Sequence, residues 1–394
     1  MKICFISRFY KPFVRGGAEI YVGKIAEKLA KKGHEIFVIT PAPQKQNYAE
    51  KINNVKIYRI SPLNIYNAYE SFKKPLLSKI VYHSLDLFNL HSYMLIKGIL
   101  KDENPDIAHI NNYKGLSPLS FKAAKDFKIP IVFTAHDYSS ICIRTNLLNG
   151  KGEICENPRI PCKIYNKIQK FLIQDKPDIV TAPSNFVLQK LESKGLFKNV
   201  KKIVLPNPIE TGKRTEKDYD NINILFVGSL SKHKGPQILI KAFKKLKGDN
   251  LRVHILGKGP DEDRLKELAR GDERITFHGF LTGKELMNMY KMANVTVVPS
   301  ILYDNSPMVV YESFMCSTPV VASRIGGIPE LVKHGYNGFL FEPGDNTELA
   351  KILNMVSRDP EILKKLEIGA YKSSKKYDIE KHIDKLEEIY RSLT

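Results

Sequence analysis

The sequence has no apolar run approaching the ~18–20 residues that a membrane-spanning helix needs. Its first apolar stretch, Ile3–Ile6, is too short for the core of a secretory signal. We therefore expect a cytoplasmic protein without a secretory leader, with at most a peripheral contact on the inner face of the cell membrane. With only five Cys and no leader, stable disulfides are not expected either.

Cys-x-x-Cys pairs, which usually begin a zinc site, are also missing. Cys142, Cys155 and Cys162 cluster in one segment, and His136 lies close enough in sequence to supply a fourth ligand. The spacing favours a loop with scattered thiols over a metal centre. We expect no bound metal and no cofactor.

Acidic residues are scarce in the first half of the chain, and the net charge is +20. Lys and Arg outnumber Asp and Glu by 33 to 16 in residues 1–207, but only by 29 to 26 in residues 208–394. Such a basic half indicates an anionic partner, for which nucleic acid, anionic lipid and a phosphorylated acceptor all qualify. Lysines that are spread over the solvent-exposed surface without binding a partner explain the positive charge of the first half equally well.

Short Ile- and Val-rich runs alternate with helical segments along both halves, which is typical of doubly wound parallel sheets. In the first half the predicted strands are Lys2–Ser7, Glu35–Thr40, Val55–Arg59, Asp106–Ile110, Ile131–Thr134, Ile179–Ala182 and Ile203–Leu205. In the second half they are Ile222–Val227, Arg252–Leu256, Ile275–Phe277, Val295–Val298, Val320–Ala322 and Phe339–Phe341. The fold class is therefore α/β, with two Rossmann-like domains facing a central cleft.

A break at Pro206–Pro208, followed by a charged linker over residues 210–221, divides the two series. We expect an N-terminal Rossmann-like domain over residues 1–207 and a C-terminal one over residues 208–376. Ligands of such sheets bind beyond the carboxyl ends of the strands, so loops from both domains are expected at one shared ligand.

The segment Leu76–Leu100 is amphipathic and combines aromatic, Leu and Ile positions with a few basic ones. Two interpretations fit this pattern: a helix that lies on a membrane surface, or an ordinary pair of helices that covers the sheet. The pattern favours the helix pair.

Gly-rich turns follow the first strand of each half. Gly16 and Gly17 open the first helix, where free backbone N–H groups are available to a phosphate. In the second half Ser229 and Lys234 lie in the equivalent loop, and Lys234 is placed to neutralise a diphosphate. His136 follows a first-half strand as a polar contact for a sugar or an acceptor, with a packed structural His as the alternative.

Two carboxylates, Asp304 and Glu312, lie eight residues apart in the second half. Pro307 is suited to a helix start, which places Glu312 on a helix and Asp304 on the loop before it. A carboxylate can accept hydrogen bonds from both hydroxyls of a ribose. The Met308 amide adds a backbone donor at the helix start.

Together these motifs resemble the retaining glycosyltransferase family 4, also called glycosyl transferases group 1, which has the GT-B fold. The resemblance is strongest over residues 222–345 and weak over residues 60–105 and 140–175, where acceptor contacts are expected. It implies that residues 377–394 form a helix that packs back on the first domain. Two positions depart from the family pattern: Ser229 stands where Arg is usual, and Asp304 where Glu is usual.

The resemblance implies that the first domain, residues 1–207, binds mainly the acceptor and that the second, residues 208–376, binds mainly the nucleotide-sugar donor. The expected catalytic residues are His136, Asp304 and Lys234. The expected donor-binding residues are Gly16, Gly17, Ser229, Lys234, Gly257, Phe280, Asp304, Ser306, Pro307, Met308, Val309 and Glu312. Glu312 takes the ribose role, and Asp304 lies near the sugar.

The expected activity is transfer of a sugar, with retention, from a nucleotide-diphosphate sugar to an acceptor hydroxyl (a transferase of class EC 2.4). Cell-surface polysaccharide, glycolipid or lipid-linked glycan synthesis is the expected setting, with an anionic or lipid-linked acceptor. UDP, GDP and ADP donors all remain open. The alternatives are a nucleotide-sugar epimerase, a non-catalytic GT-B protein and, from another class, a basic nucleic-acid-binding protein. The sequence shows no aromatic-basic repeat typical of RNA modules, so no nucleic acid is expected.

Overall fold

A computed structural model describes residues 1–14 and 16–394, and it divides the chain into two compact units. The first unit comprises residues 1–147, 156–205 and 382–394, and the second comprises residues 148–155 and 206–381. Each unit is built around one sheet of mainly parallel strands.

The first unit holds an eight-stranded sheet in the order β3-β4-β2-β1-β5-β6-β7-β8, in which β3 alone runs antiparallel to its neighbour. Its strands are β1 (Lys2–Ser7), β2 (Glu35–Pro41), β3 (Tyr48–Ile52), β4 (Val55–Ile60), β5 (Ile107–Asn112), β6 (Ile131–Thr134), β7 (Ile179–Ala182) and β8 (Lys201–Val204). Its helices are α1 (Gly17–Lys31), α2 (Leu76–Leu87), α3 (Leu90–Glu103), α4 (Leu119–Lys125), α5 (Ile160–Ile173) and α6 (Asn185–Ser193).

The second unit holds a six-stranded parallel sheet in the order β11-β10-β9-β12-β13-β14. Its strands are β9 (Ile222–Val227), β10 (Leu251–Leu256), β11 (Ile275–Gly279), β12 (Val295–Val298), β13 (Val320–Ser323) and β14 (Gly338–Phe341). The remaining helices are α7 (Pro236–Phe243), α8 (Glu262–Ala269), α9 (Gly283–Met292), α10 (Met308–Met315), α11 (Ile328–Leu331), α12 (Asn346–Arg358), α13 (Pro360–Ser374) and α14 (Ile379–Arg391).

The predicted α/β class, with two parallel Rossmann-like sheets, is confirmed. All thirteen predicted strands are present with small shifts, but the prediction missed β3, whose side chains alternate between half-buried and exposed. The segment Leu76–Leu100 forms two helices, α2 and α3, as the helix-pair interpretation expected. Over the described residues, no helix is both long and apolar enough to cross a membrane.

The predicted linker over residues 210–221 has neither helix nor strand, yet it packs on the second unit. Arg214 donates from Nε to Glu367 over 2.8 Å, and Lys217 donates from Nζ to the Thr318 hydroxyl over 2.7 Å. Burial lowers the pKa of Lys217 to about 8. These hydrogen bonds attach the segment to the surface of the second unit.

The last helix, α14, contributes its residues from His382 onward to the first unit. Tyr390 contacts the buried imidazole of His109, with 2.6 Å between its hydroxyl and Nδ1. Lys32 donates to Asp384 over 2.7 Å. These contacts tie the C-terminal residues to β5 and to the end of α1.

Candidate donor and acceptor sites

The second sheet has its topological switch point between β9 and β12, which are neighbours although β10 and β11 lie between them in sequence. Ligands of open α/β sheets bind beyond the carboxyl ends of the strands at such a point. The loop after β9 carries Lys234, and the loop after β12 carries Asp304. The fold therefore brings together two residues that are 70 positions apart.

Lys234 and Asp304 form an ion pair at this switch point. Lys234 donates from Nζ to Oδ1 of Asp304 over 2.7 Å, and the Ser300 hydroxyl donates to the other carboxylate oxygen. Asp304 is buried, whereas the Lys234 side chain keeps 30% of its surface exposed. The carboxylate thus holds an ammonium group that solvent still reaches.

Two glycines allow neighbouring loops to close on this pair. Gly235 has φ +78°, and a Cβ there would lie 1.8 Å from the Pro299 carbonyl oxygen. Gly326 has φ +63°, and a Cβ there would lie 2.3 Å from the carbonyl oxygen of Asp304. A larger residue would force the Gly235 backbone away from Pro299 or the Gly326 backbone away from Asp304, so close approach requires both glycines.

Glu312 lies on α10, as predicted, and is held by a neighbouring helix. The buried Tyr290 of α9 donates its hydroxyl to Oε2 of Glu312 over 2.9 Å. Burial, reinforced by this carboxylate, raises the pKa of Tyr290, so the hydroxyl remains a donor at neutral pH. Pro307 caps α10 rather than forming its first turn, and Met308 is the first helical residue. The start of α10 therefore offers backbone N–H groups close to the Asp304 loop.

The other predicted donor residues occupy the same edge of the second sheet. Ser229 and Phe280 are exposed on the loops after β9 and β11, and Gly257 follows β10. Ser306 is buried against the Tyr311 hydroxyl at 2.5 Å. Val309, on the first turn of α10, packs beside the hydrophobic core.

The first sheet has its own switch point, between β1 and β5. His136, just after β6, lies 2.9 Å from the Asn111 amide oxygen, measured from Nε2. Because the Asn111 amide nitrogen donates to the His109 carbonyl, its oxygen is left to accept, and Nε2 of His136 is the donor. Burial lowers the pKa of His136 to about 3, so the imidazole is neutral at physiological pH.

The depressed pKa of His136 predicts acid-sensitive stability. Below about pH 6.5 the unfolded chain takes up this proton while the folded chain does not, so stability falls with falling pH. We expect His136→Gln to reduce the loss of unfolding free energy between pH 7 and pH 5 by about 2 kcal/mol. Urea unfolding of wild type and variant measures both free energies of unfolding. The difference between these free energies should not change between pH 7 and pH 8. Equal losses at pH 5 would contradict the prediction.

Gly16 and Gly17 open α1, as predicted, but a carboxylate shares the helix start. Glu19 is buried there, and the backbone N–H groups of Gly16 and Glu19 hydrogen-bond its carboxyl group. This matches a capping box, in which the third helical residue reaches back to the N-cap. Burial raises the pKa of Glu19. A phosphate at this turn would have to share the helix start with Glu19.

Two cationic residues that were not predicted from the sequence lie at the carboxyl edge of the first sheet. Arg8 directly follows β1, with its guanidinium 5.0 Å from the Phe9 ring centre. Lys114 follows β5, is buried, and donates from Nζ to the Ile143 carbonyl over 2.7 Å. Burial lowers its pKa to about 8. Both residues come within two positions of the end of a switch-point strand, and this position in the sequence could have identified them.

A cavity of about 430 Å³ opens beyond the carboxyl ends of β2 and β4. Tyr66 and Tyr82 stack against each other in its lining, with ring centres 4.4 Å apart. Lys45, His91 and Leu63 also line it. Most of the lining residues fall in the region, residues 60–105, where the sequence predicted acceptor contacts.

All five cysteines are free thiols, and Cys142, Cys155 and Cys162 are half-buried. Within the part of the chain that the structure describes, no group of three or more His, Cys, Asp or Glu side chains is arranged to hold a metal ion. The three thiols do not share one loop, contrary to the prediction from the sequence, because Cys162 lies on α5 while Cys142 and Cys155 lie outside helices and strands.

The two Rossmann-like sheets have the architecture of the GT-B fold. The model of Glycosyltransferase Family 4 matches residues 15–213, and the model of glycosyl transferases group 1 matches residues 209–373. The chain belongs to this family of glycosyltransferases, and the predicted family is confirmed.

Similar proteins from several organisms cover nearly the whole chain. A 42.6 kDa protein of the cps region of Klebsiella pneumoniae is 28% identical over 335 residues, which cover 84% of this chain and 87% of that protein. The alpha-monoglucosyldiacylglycerol synthase of Acholeplasma laidlawii is 26% identical over 418 residues, covering 100% and 97%. The crystal structure of Anabaena HepE with UDP superposes with a TM-score of 0.75 at 20% identity, covering 100% of both chains.

Proposed function

We propose that this chain transfers a sugar from a nucleotide-diphosphate sugar to an acceptor hydroxyl with retention of anomeric configuration. The observation that carries the proposal is the Lys234 ammonium, held by Asp304 at the switch point of the second sheet. A cation at that position stabilises the charge that develops on the departing diphosphate. UDP bound to the structurally similar HepE supports a uridine donor.

The two carboxylates of the candidate site, Asp304 and Glu312, have separate roles in this proposal. Glu312, oriented by Tyr290, accepts hydrogen bonds from the ribose hydroxyls. Asp304 positions Lys234, in addition to its predicted place near the sugar. Lys234 and the N–H groups at the start of α10 supply positive charge to the diphosphate, so the proposed reaction involves no metal ion.

The neutral imidazole of His136 fits a transfer that needs no strong general base. With a pKa of about 3, His136 is poorly suited to remove a proton from an acceptor hydroxyl. In the proposed reaction that proton passes to the departing diphosphate. His136 orients polar groups at the carboxyl edge of β6.

We place the acceptor in the cavity of the first unit, and we propose that it is anionic or lipid-linked. The stacked Tyr66 and Tyr82 offer apolar surface to a sugar ring or lipid, and Lys45 offers a cation to a phosphate. The lipid product named for the Acholeplasma laidlawii relative supports a glycolipid setting. The proposed location is cytoplasmic and peripheral, at the inner face of the cell membrane.

The experiment is a transfer assay with UDP- and GDP-sugars and lipid extract as the acceptor source. We expect release of nucleoside diphosphate that depends on the acceptor, and a product whose anomeric proton coupling in NMR matches that of the donor. An inverted product would overturn the retaining mechanism. Conversion of the donor without acceptor would identify an epimerase, and donor binding without any turnover would identify a non-catalytic protein.

A further inference from the structure

Helix α2 turns its apolar side outward. Five large apolar side chains on or next to α2 are between 47% and 78% exposed. After the first of them, the others follow at three, four, eight and eleven residues, which places them on one helical face: Leu77, Ile80, Val81, Leu85 and Phe88. A surface helix usually shows the opposite arrangement, with its apolar stripe toward the core.

Polar groups on the inner side fix this orientation. Asp86 is buried and accepts a hydrogen bond from the Gly115 amide over 3.0 Å. Tyr82 stacks on Tyr66 at 4.4 Å. Because these contacts anchor the inner side of α2, the apolar stripe faces solvent as a consequence of the fold.

Helix α5 packs against α2 and extends the apolar surface. Ile160, Ile164 and Phe171 are exposed on one face of α5, at 72%, 56% and 77%. The same face carries the exposed Lys163 and Lys167. The helix packed against α2 therefore adds a second row of exposed apolar side chains, with lysines among them.

Exposed apolar residues from adjoining segments enlarge the surface. Leu63 and Ile65 follow β4, and Leu90 and Met94 lie on the first turns of α3. We call this set of side chains on α2, α5 and the adjoining segments the apolar face. An apolar surface formed by so many large side chains marks a docking site for another molecule or a membrane.

The charged side chains that α2 and α5 expose are all basic. The sequence of α5 contains no Asp or Glu, and the acidic residue of α2, Asp86, is buried on the inner side. Lys163 and Lys167 supply exposed positive charge. The face also belongs to the half of the chain in which Lys and Arg outnumber Asp and Glu by 33 to 16. Exposed apolar side chains flanked by lysines match the surface of a bilayer that contains anionic lipids.

We propose that the apolar face docks the first unit on an anionic lipid bilayer. Leu77, Ile80 and Phe88 enter the headgroup and acyl boundary, while Lys163 and Lys167 contact anionic headgroups.

The docking surface adjoins the proposed acceptor cavity. Leu63 lines the cavity and is also 73% exposed as part of the apolar face. Tyr82, on the inner side of α2, contributes to the cavity lining. The link to a lipid-linked acceptor rests on the proposed function, whereas docking on the bilayer does not.

Sedimentation with lipid vesicles tests the docking. We expect the full-length protein to pellet with vesicles of phosphatidylcholine and phosphatidylglycerol, and much less with phosphatidylcholine alone. The Leu77→Ser/Ile80→Ser/Phe88→Ser variant should bind the anionic vesicles at least about tenfold more weakly. Lys163→Glu/Lys167→Glu should weaken binding at low salt and have less effect at high salt.

The matched control replaces two exposed apolar residues of the second unit. Met355→Ser/Ile368→Ser should leave vesicle binding unchanged, since these residues lie on α12 and α13. Circular dichroism and thermal unfolding of every variant report on the fold, and nucleoside diphosphate binding in solution reports separately on the proposed function. Vesicle binding by the triple variant equal to that of wild type would overturn the docking. So would a wild-type dimer that the triple variant loses, because a second copy would then cover the face.

Discussion

The Lys234→Ala variant is expected to lose about 10²- to 10³-fold in turnover, the cost of removing one group that stabilises developing negative charge. In wild type the ammonium is fixed 2.7 Å from Asp304 and remains solvent-accessible. Because the charge on the departing diphosphate grows as the sugar bond breaks, loss of this cation should affect turnover more than donor affinity. Steady-state kinetics with varied donor concentration measure both.

The control for this variant is Lys232→Ala, since Lys232 is exposed on the same short 3₁₀ turn. It should retain wild-type turnover. A purely structural role for Lys234 predicts a different pattern, because it would weaken nucleoside and nucleoside diphosphate binding together. We expect Lys234→Ala to weaken binding of the diphosphate and leave binding of the nucleoside unchanged. Wild-type turnover in Lys234→Ala would remove Lys234 from the site.

The second large effect is expected for Glu312→Ala, which should bind the donor about 10- to 100-fold more weakly. Hydrogen bonds to a charged group contribute about 1.5–3 kcal/mol, and the proposed ribose contact uses this carboxylate. The nucleoside and its diphosphate should lose affinity by the same factor, because both carry the ribose. Isothermal titration calorimetry with both ligands measures this, and it separates Glu312 from Lys234.

Two further variants show whether the orientation of Glu312 matters. Tyr290→Phe removes only the hydroxyl that donates to Oε2, so it should produce a smaller loss of nucleoside affinity than Glu312→Ala. Glu285→Ala, on an exposed position of α9, should change nothing. If Glu312→Ala binds the nucleoside as tightly as wild type, Glu312 does not contact the ribose.

Much of the fold was predictable because its strands are buried on both faces. Strands such as Val295–Val298 are continuous β-branched runs, and such runs indicate buried parallel strands. The strand β3 was missed because Tyr48–Ile52 contains Glu and Lys and forms an antiparallel edge with only one side toward the protein. Its pattern resembles that of a loop until the neighbouring β4 is known.

The sequence predicted which loops and helices carry the residues of the candidate site, but it did not predict which of these residues contact each other. The order of motifs indicated that Lys234 and Asp304 both follow strands, and the sheet order then brought their loops together. Their direct pairing depends on the close approach of Gly326 to Asp304, which the sequence does not encode as a pattern. Likewise, no periodicity revealed that Asn111 would fix the His136 imidazole.

The sequence did not predict which side of α2 faces solvent. Sequence periodicity identifies an apolar stripe but assumes that the stripe faces the core. Here Tyr82 and Asp86 hold the opposite side of the helix through stacking and a backbone hydrogen bond. Those partners, Tyr66 and Gly115, lie outside the helix, so only the tertiary structure shows which side is exposed.

Thermal unfolding of the wild-type protein with a panel of nucleoside diphosphates and nucleotide sugars tests the central claim most directly. A ligand at about 100 times its dissociation constant adds roughly 2.7 kcal/mol of stability. We predict that one base stabilises the protein and that the Lys234→Ala and Glu312→Ala variants need more of the same ligand for an equal shift. If no nucleoside diphosphate or nucleotide sugar raises the unfolding temperature, the switch point of the second sheet is not a donor site.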